Sequence, residues 1–147
     1  MTFLLAANPG EEARPLAVAA SGGELSRFHL AVQLAARHGG RGAAETMVFD
    51  EADAGLGGEA AAALGRKLRD LAAGGQILAV THLAQVASQA HRHLRVHKAV
   101  RGGRTRTALE LLEDEQRVAE VARMLAGEAP SETALSHARE LLGAAEG

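Results

Sequence analysis

The sequence contains no cysteine, tryptophan or tyrosine, and its phenylalanines are only Phe3, Phe28 and Phe49. Without cysteine there are no disulfides and no thiolate metal sites, as suits a reducing compartment. Scarce aromatics remove the ring platforms on which single-stranded nucleic acid stacks. They also leave the core to Ala, Leu and Val, residues that favour closely packed helices. No apolar run approaches the roughly 20 residues a membrane-crossing helix needs, and "MTFLLAANPGEEARP" carries no basic leader. The expectation is a cytoplasmic chain with no membrane partner. A formal net charge of -2 excludes a polycation drawn in bulk to nucleic acid.

What is present is a chain of 147 residues, 47% of them hydrophobic, enough for one domain with a real core. Phe3 to Ala7 reads as a short strand closed by Asn8-Pro9-Gly10, followed by a loop or short extended piece over 11–20. From Gly23, the residues Leu25, Phe28, Val32 and Ala35 recur at helical spacing, with Leu30 and Leu34 widening the stripe. Gly39, Gly40 and Gly42 stop that helix. Thr46 to Phe49 is a continuous apolar run ending in Asp50-Glu51, which suits a strand buried on both faces in a parallel sheet. A glycine loop (Gly55, Gly57, Gly58) leads to a helix over 59–73. Gln76 to Thr81 is a second buried strand, followed by His82 and a short helix over 84–89. Two alternating runs, 93–100 and 105–112, meet at Gly102-Gly103 as a hairpin. Two helices close the chain, one opening at Asp114 and one capped by Ser131. The pattern is α/β with a mainly parallel sheet, a C-terminal hairpin and helices, so the loops after the strands share one edge.

Three features fall at such an edge. Ser21-Gly22-Gly23-Glu24 stands at a helix mouth, where amide N–H groups and the helix dipole favour an anion such as phosphate. The same four residues also read as a capping box. Asp50-Glu51 ends a buried strand, where two carboxylates are costly without a role. Asp50 suits a hydrated Mg²⁺, and Glu51 suits taking a proton from an attacking water. His82, one strand later, suits a phosphate or a water, or is an ordinary surface histidine.

In this order the three features resemble the second half of an ATP-binding-cassette ATPase head. "ASGGELSR" looks like the signature motif, "MVFDEADAGLGG" like the Walker B strand with its D-loop, and "VTHLAQVA" like the H-loop. With the lead-in "NPGEEARPL" and the stretch from Asp114-Glu115-Gln116-Arg117 onward, nearly the whole chain is similar to the C-terminal head segment of the RecN family. These are bacterial recombination and repair proteins related to the SMC proteins. The resemblance implies a P-loop NTPase fold of the ABC type, with residues 1–147 as the C-terminal half of the head. The sequence holds no G-x-x-x-x-G-K-[ST], so the phosphate-neutralising lysine must come from elsewhere. The resemblance places it on an N-terminal segment with Walker A, joined through a coiled coil.

The resemblance further implies that Ser21, Gly22, Gly23 and Glu24 face ATP bound to a second head, so that two heads sandwich two ATP molecules. Asp50 would serve Mg²⁺, Glu51 would activate water and His82 would sense the γ-phosphate, all on the chain's own side. Asp53, Ala54, Gly55 and Gly57 form the D-loop. Most cassettes carry Asp where Gly57 stands, so backbone from Ala54 to Gly57 replaces that carboxylate. The implied work is ATP-driven head engagement in double-strand break repair and recombination, in a homodimer acting on DNA at the bacterial nucleoid. A nucleotide-gated dimerisation or DNA-binding module with negligible turnover is the alternative, and a transporter cassette fragment is a further one. The basic stretch over 91–106 reads foremost as a solvated hairpin face and secondarily as a contact to DNA backbone.

Overall fold

In the computed structural model, residues 2–6, 10–38, 46–101 and 104–146 are described. The turns expected at Asn8-Pro9 and Gly102-Gly103, and the helix stop at Gly39, Gly40 and Gly42, lie outside them. The elements in order are β1 (Leu4–Leu5), β2 (Arg14–Pro15), α1 (Leu16–Ala19), α2 (Gly22–His38), β3 (Thr46–Phe49), α3 (Gly58–Ala72), β4 (Gln76–Ala79), α4 (Ala84–Ala87), β5 (His93–Arg101), β6 (Arg104–Leu112), α5 (Asp114–Ala126) and α6 (Glu132–Glu146). They fall into two compact units, residues 1–81 and 82–147.

The first unit is built on a β-α-β crossover. β3 and β4 pair in parallel, Thr46 opposite Gln76 through Phe49 opposite Ala79, and the Val80 N–H extends the ladder to the Phe49 carbonyl. Alternation puts Met47 and Phe49 on the buried face of β3 and Val48 on the exposed one. The crossover helix α3 lies against β4. Its buried line of Ala61, Leu64, Leu68 and Leu71 follows the i, i+3, i+7 spacing of one helix face. The expected first strand is only two residues long. It pairs antiparallel with β2, Leu4 opposite Pro15, and the Leu16 N–H donates to the Phe3 carbonyl beyond it at 2.9 Å.

Helix α2 departs from the stripe expected of it. Leu25, Phe28 and Val32 are exposed, and the Phe28 ring meets that of Phe3 at 5.3 Å, edge-on. The buried line is Gly23 and Leu30, with Arg27 half-buried between them. That line faces the end of β3, and it is the one that positions the site.

The second unit packs α5 against α6. Ala84, Val118, Val121, Ala122 and Ala138 are its buried centre, flanked by Leu125, Leu135, Leu141 and Leu142. Ser131 caps α6, its hydroxyl accepting the Ala134 N–H at 3.3 Å. In the hairpin, Leu94 stands opposite Leu111 and Val96 opposite Leu109, giving an apolar face that is exposed. The other face carries Arg95 opposite Glu110.

Candidate functional site

The helix mouth forms first from local sequence. Ser21 is the N-cap of α2 and Glu24 its third residue. The Ser21 N–H and hydroxyl both donate to Glu24 Oε2, at 2.7 and 2.8 Å, and the Ser21 oxygen accepts the Glu24 N–H at 3.3 Å. This is the reciprocal capping box. The Ser21 backbone N–H, and then its hydroxyl, hold the Glu24 carboxyl below the usual carboxylate range. Ser21 is exposed, so the donors at this mouth face solvent and already hold one oxyanion. That chemistry fits a phosphate oxygen in the same place.

The twin acids follow β3. Asp50 and Glu51 are both exposed. Glu51 has φ +55°, a left-handed conformation that costs a non-glycine residue roughly 1–2 kcal/mol and is found preferentially at functional sites. The Glu51 carbonyl accepts the Ala54 N–H at 3.0 Å, and the Asp53 carbonyl accepts the Leu56 N–H at 3.0 Å. Gly55 follows at φ +72°, where a side chain would be strained. Asp50 offers one hard oxygen ligand, which suffices for Mg²⁺ completed by phosphate oxygens and water. Among the described residues no group of three or more His, Asp or Glu stands ready to hold a metal unaided.

The first unit brings mouth and acids together. A Cβ on Gly22 would lie 3.6 Å from Glu51 Oε2. The Ser26 hydroxyl donates to the Asp50 carbonyl at 3.0 Å. Arg27 Nη1 donates to the carbonyls of Ala52 and Ala54, at 3.3 and 2.8 Å. Gly23 has no room for a side chain, since a Cβ there would stand 2.9 Å from the Ala54 Cβ. Asp53 is 3% exposed and accepts the Thr81 hydroxyl, so its carboxylate ties the turn inward to the end of β4. Gly57 precedes α3 in extended conformation, φ -163°. His82 follows Thr81 directly, opens the second unit and is exposed.

Ser26 and Arg27 escaped the sequence reading, although "SGGELSR" was the motif singled out. Their signal was positional: Arg27 lies one helical turn after Gly23 and one before Leu30, on the same buried line. The basic hairpin also divides. Arg95 is paired with Glu110 at 2.7 Å and Glu120 at 3.5 Å. Glu120 is itself buried and held by Arg123 at 2.7 Å. Burial pushes the His93 imidazole down, against the attraction of Glu120. Arg92, His97, Lys98 and Arg106 remain exposed.

Comparison with known proteins bears on the chain as a whole. No family model matches the chain. It is 52% identical over 140 residues to the DNA repair protein RecN of Streptomyces coelicolor, covering 95% of this chain and 24% of that protein. It is 53% identical to RecN of Deinococcus radiodurans, covering 92% and 23%, and 45% identical to RecN of Vibrio cholerae, covering 99% and 26%. Its fold matches a chain from structural work on ATP-driven dimerization and DNA-stimulated activation of SMC ATPases, with TM-score 0.52 and 19% identity. That match covers 86% of this chain and 81% of the other. The α/β fold is therefore that of an SMC ATPase head. No helix among the described residues is long and apolar enough to cross a membrane. The chain spans about a quarter of the length of the relatives it matches, and nearly throughout its own length it is similar to that segment of the DNA repair protein RecN.

Proposed function

We propose that residues 1–147 are the C-terminal half of an ATPase head that works only when an N-terminal, Walker A-bearing segment completes it. One observation carries the reading. The signature-like helix mouth (Ser21 to Glu24) and the strand-end acids (Asp50, Glu51) share one edge of the first unit, and Glu51 is held there at φ +55°. In this reading that edge faces a second head. ATP and Mg²⁺, when bound, supply the scissile phosphoanhydride and its charge neutralisation. Asp50 holds the metal, and Glu51 takes the proton from the attacking water. His82 orients that water or the terminal phosphate. Ser21 and the amides of Gly22, Gly23 and Glu24 hold the γ-phosphate of the nucleotide on the partner head, Ser21 exchanging for it the Glu24 carboxylate it holds now. ATP then joins two heads of a homodimer and hydrolysis releases them. In this reading the cycle serves bacterial double-strand break repair and recombination, in the cytoplasm at the nucleoid with DNA as a partner, and the similarity to RecN supports it.

The test is hydrolysis by this chain alone and joined to its N-terminal head segment. Silence is expected alone and turnover when joined. Glu51→Gln in the joined protein should retain ATP-dependent association while turnover falls by about 10²–10³-fold. Hydrolysis at the unaltered rate by that variant removes Glu51 from the role of base. Background hydrolysis by the joined wild-type protein, with association intact, replaces the enzyme with a nucleotide-gated binding module.

A further inference from the structure

We infer that Arg27 is a positioning residue, setting the geometry of the Glu51 turn from the helix whose mouth carries Ser21. The inference rests on the reading above for its consequences in turnover, and on geometry alone for the clamp itself.

The turn from Glu51 to Gly55 has little of its own to define it. It contains the i, i+3 bond from the Ala54 N–H to the Glu51 carbonyl, a positive φ at Glu51 and another at Gly55. A loop with one short-range bond and a strained residue relaxes unless something outside holds it. Two carbonyls of this turn, those of Ala52 and Ala54, accept from Arg27 Nη1. A third carbonyl, that of Asp50 just before it, accepts from the Ser26 hydroxyl. All three acceptors are neutral and one donor is a full cation, so the pair of bonds from Arg27 is the stronger hold. Further anchors are the buried Asp53 carboxylate on Thr81 and the Leu56 N–H on the Asp53 carbonyl.

The donors sit one turn inside α2, directly behind the capping box. Gly23 lets the helix backbone approach the Ala54 methyl, because no side chain intervenes. The guanidinium is half-buried in the contact so made. A helix is stiff along its axis, so a shift of its first turn carries Arg27 with it. The carbonyls of Ala52 and Ala54 follow, and with them the Glu51 backbone. What engages the helix mouth thereby adjusts the direction of the Glu51 carboxylate, without either site touching the other's ligand. Arg27 touches no reacting atom in this arrangement.

Three variants of the full-length protein test this: Arg27→Met, Arg27→Lys and the pair Arg27→Met with Glu51→Gln. Hydrogen exchange without nucleotide reads the clamp directly. In Arg27→Met the amides of Ala54 and Leu56 should exchange at least tenfold faster, while the amides of α3 keep their rates. In turnover, Arg27→Met should lose about tenfold or more in kcat with KM for ATP within twofold. Arg27→Lys should fall between it and the wild type, since one ammonium replaces the planar fork. The double variant should still associate on ATP as Glu51→Gln alone does. Unchanged exchange at Ala54 and Leu56 overturns the clamp whether or not the wild type hydrolyses ATP. Faster exchange with unchanged kcat overturns the coupling, as does loss of KM and association together with kcat, which is the pattern of a merely structural residue. A wild-type protein without turnover refutes the proposed function and the coupling, and leaves the clamp to the exchange result.

Discussion

Replacing Gly23 by alanine adds one methyl group where α2 meets the turn, and the structure sets its cost. The new Cβ would lie 2.9 Å from the Ala54 Cβ, 3.1 Å from Arg27 Nη1 and 3.2 Å from the Ala54 carbonyl oxygen. Carbon atoms rest about 3.5–4.0 Å apart, so Ala54 must retreat by roughly 0.6–1.1 Å. The bond from Arg27 to the Ala54 carbonyl is 2.8 Å, and that retreat stretches it to about 3.2 Å or beyond, the edge of useful geometry. Overpacking of this kind costs about 1–3 kcal/mol, and weakening a charge-assisted bond adds about 1 kcal/mol. Alanine's preference for helix offsets about 1 kcal/mol. The net is a destabilisation of about 1–3 kcal/mol. In a unit of this size each kcal/mol moves the melting temperature by roughly 4–8 °C.

The control is Gly143→Ala in α6. A Cβ there meets nothing within 4 Å, so the helix preference acts alone and stabilises by about 0.5–1 kcal/mol. Gly22→Ala is intermediate, since its Cβ makes only ordinary contact with Glu51 Oε2 at 3.6 Å. Thermal melts followed by circular dichroism should rank Gly143→Ala above wild type and Gly23→Ala below it. A Gly23→Ala chain that melts as high as Gly143→Ala refutes the close approach of helix and turn, and the clamp argument with it.

Two predictions concern pH. The Glu24 carboxyl is held below its ordinary value of 4.5 by the Ser21 N–H and then the Ser21 hydroxyl. Its capping contribution is therefore complete above pH 4.5 and is lost as pH falls through the lower folded value. Glu24→Gln should remove that acid-side loss of helix, and a carboxyl resonance of Glu24 titrating at or above 4.5 contradicts the capping box. His93 is lowered from 6.5, first by burial and then by Arg117 and Arg95, against Glu120. The unfolded chain then binds the proton more readily, so stability rises with pH up to about 6.5 and levels off above it. His93→Gln should flatten that rise, and an imidazole proton resonance titrating above 6.5 counts against the burial.

How much of this could be read from the amino acids varies from element to element. The strand at Thr46–Phe49, α5 and the cap at Ser131 were legible because each rests on a local rule: a continuous apolar run, a 3.6-residue period, a hydroxyl before a helix. The same holds for the apolar residues between α5 and α6, where two periodic faces have only each other to bury. The exposed stripe of α2 was not legible. Leu25, Phe28 and Val32 obey helical spacing as well as Gly23, Arg27 and Leu30 do, and hydrophobicity favours the first line. What decides for the second is the turn after β3, whose carbonyls of Asp50, Ala52 and Ala54 take donors from Ser26 and Arg27. Burial here follows polar satisfaction rather than apolar count.

The site divides along the same line. The positions of Ser21 to Glu24, Asp50 and Glu51 at element ends could be read in advance, because a cap and a strand end are local features of the sequence. The inward turn of Asp53 could not, because Glu-Ala-Asp on a glycine loop looks like exposed acid. Its burial at 3% goes with the hydroxyl of Thr81, just beyond β4, a pairing 28 residues apart that no local period encodes. Asp53, Arg27 and Ser26 thus share one property: each ties the turn to a distant part of the chain. Groups that would touch a ligand were visible from composition at a terminus. Groups that hold those in place became visible only with the fold, since what they bind is the fold's own backbone.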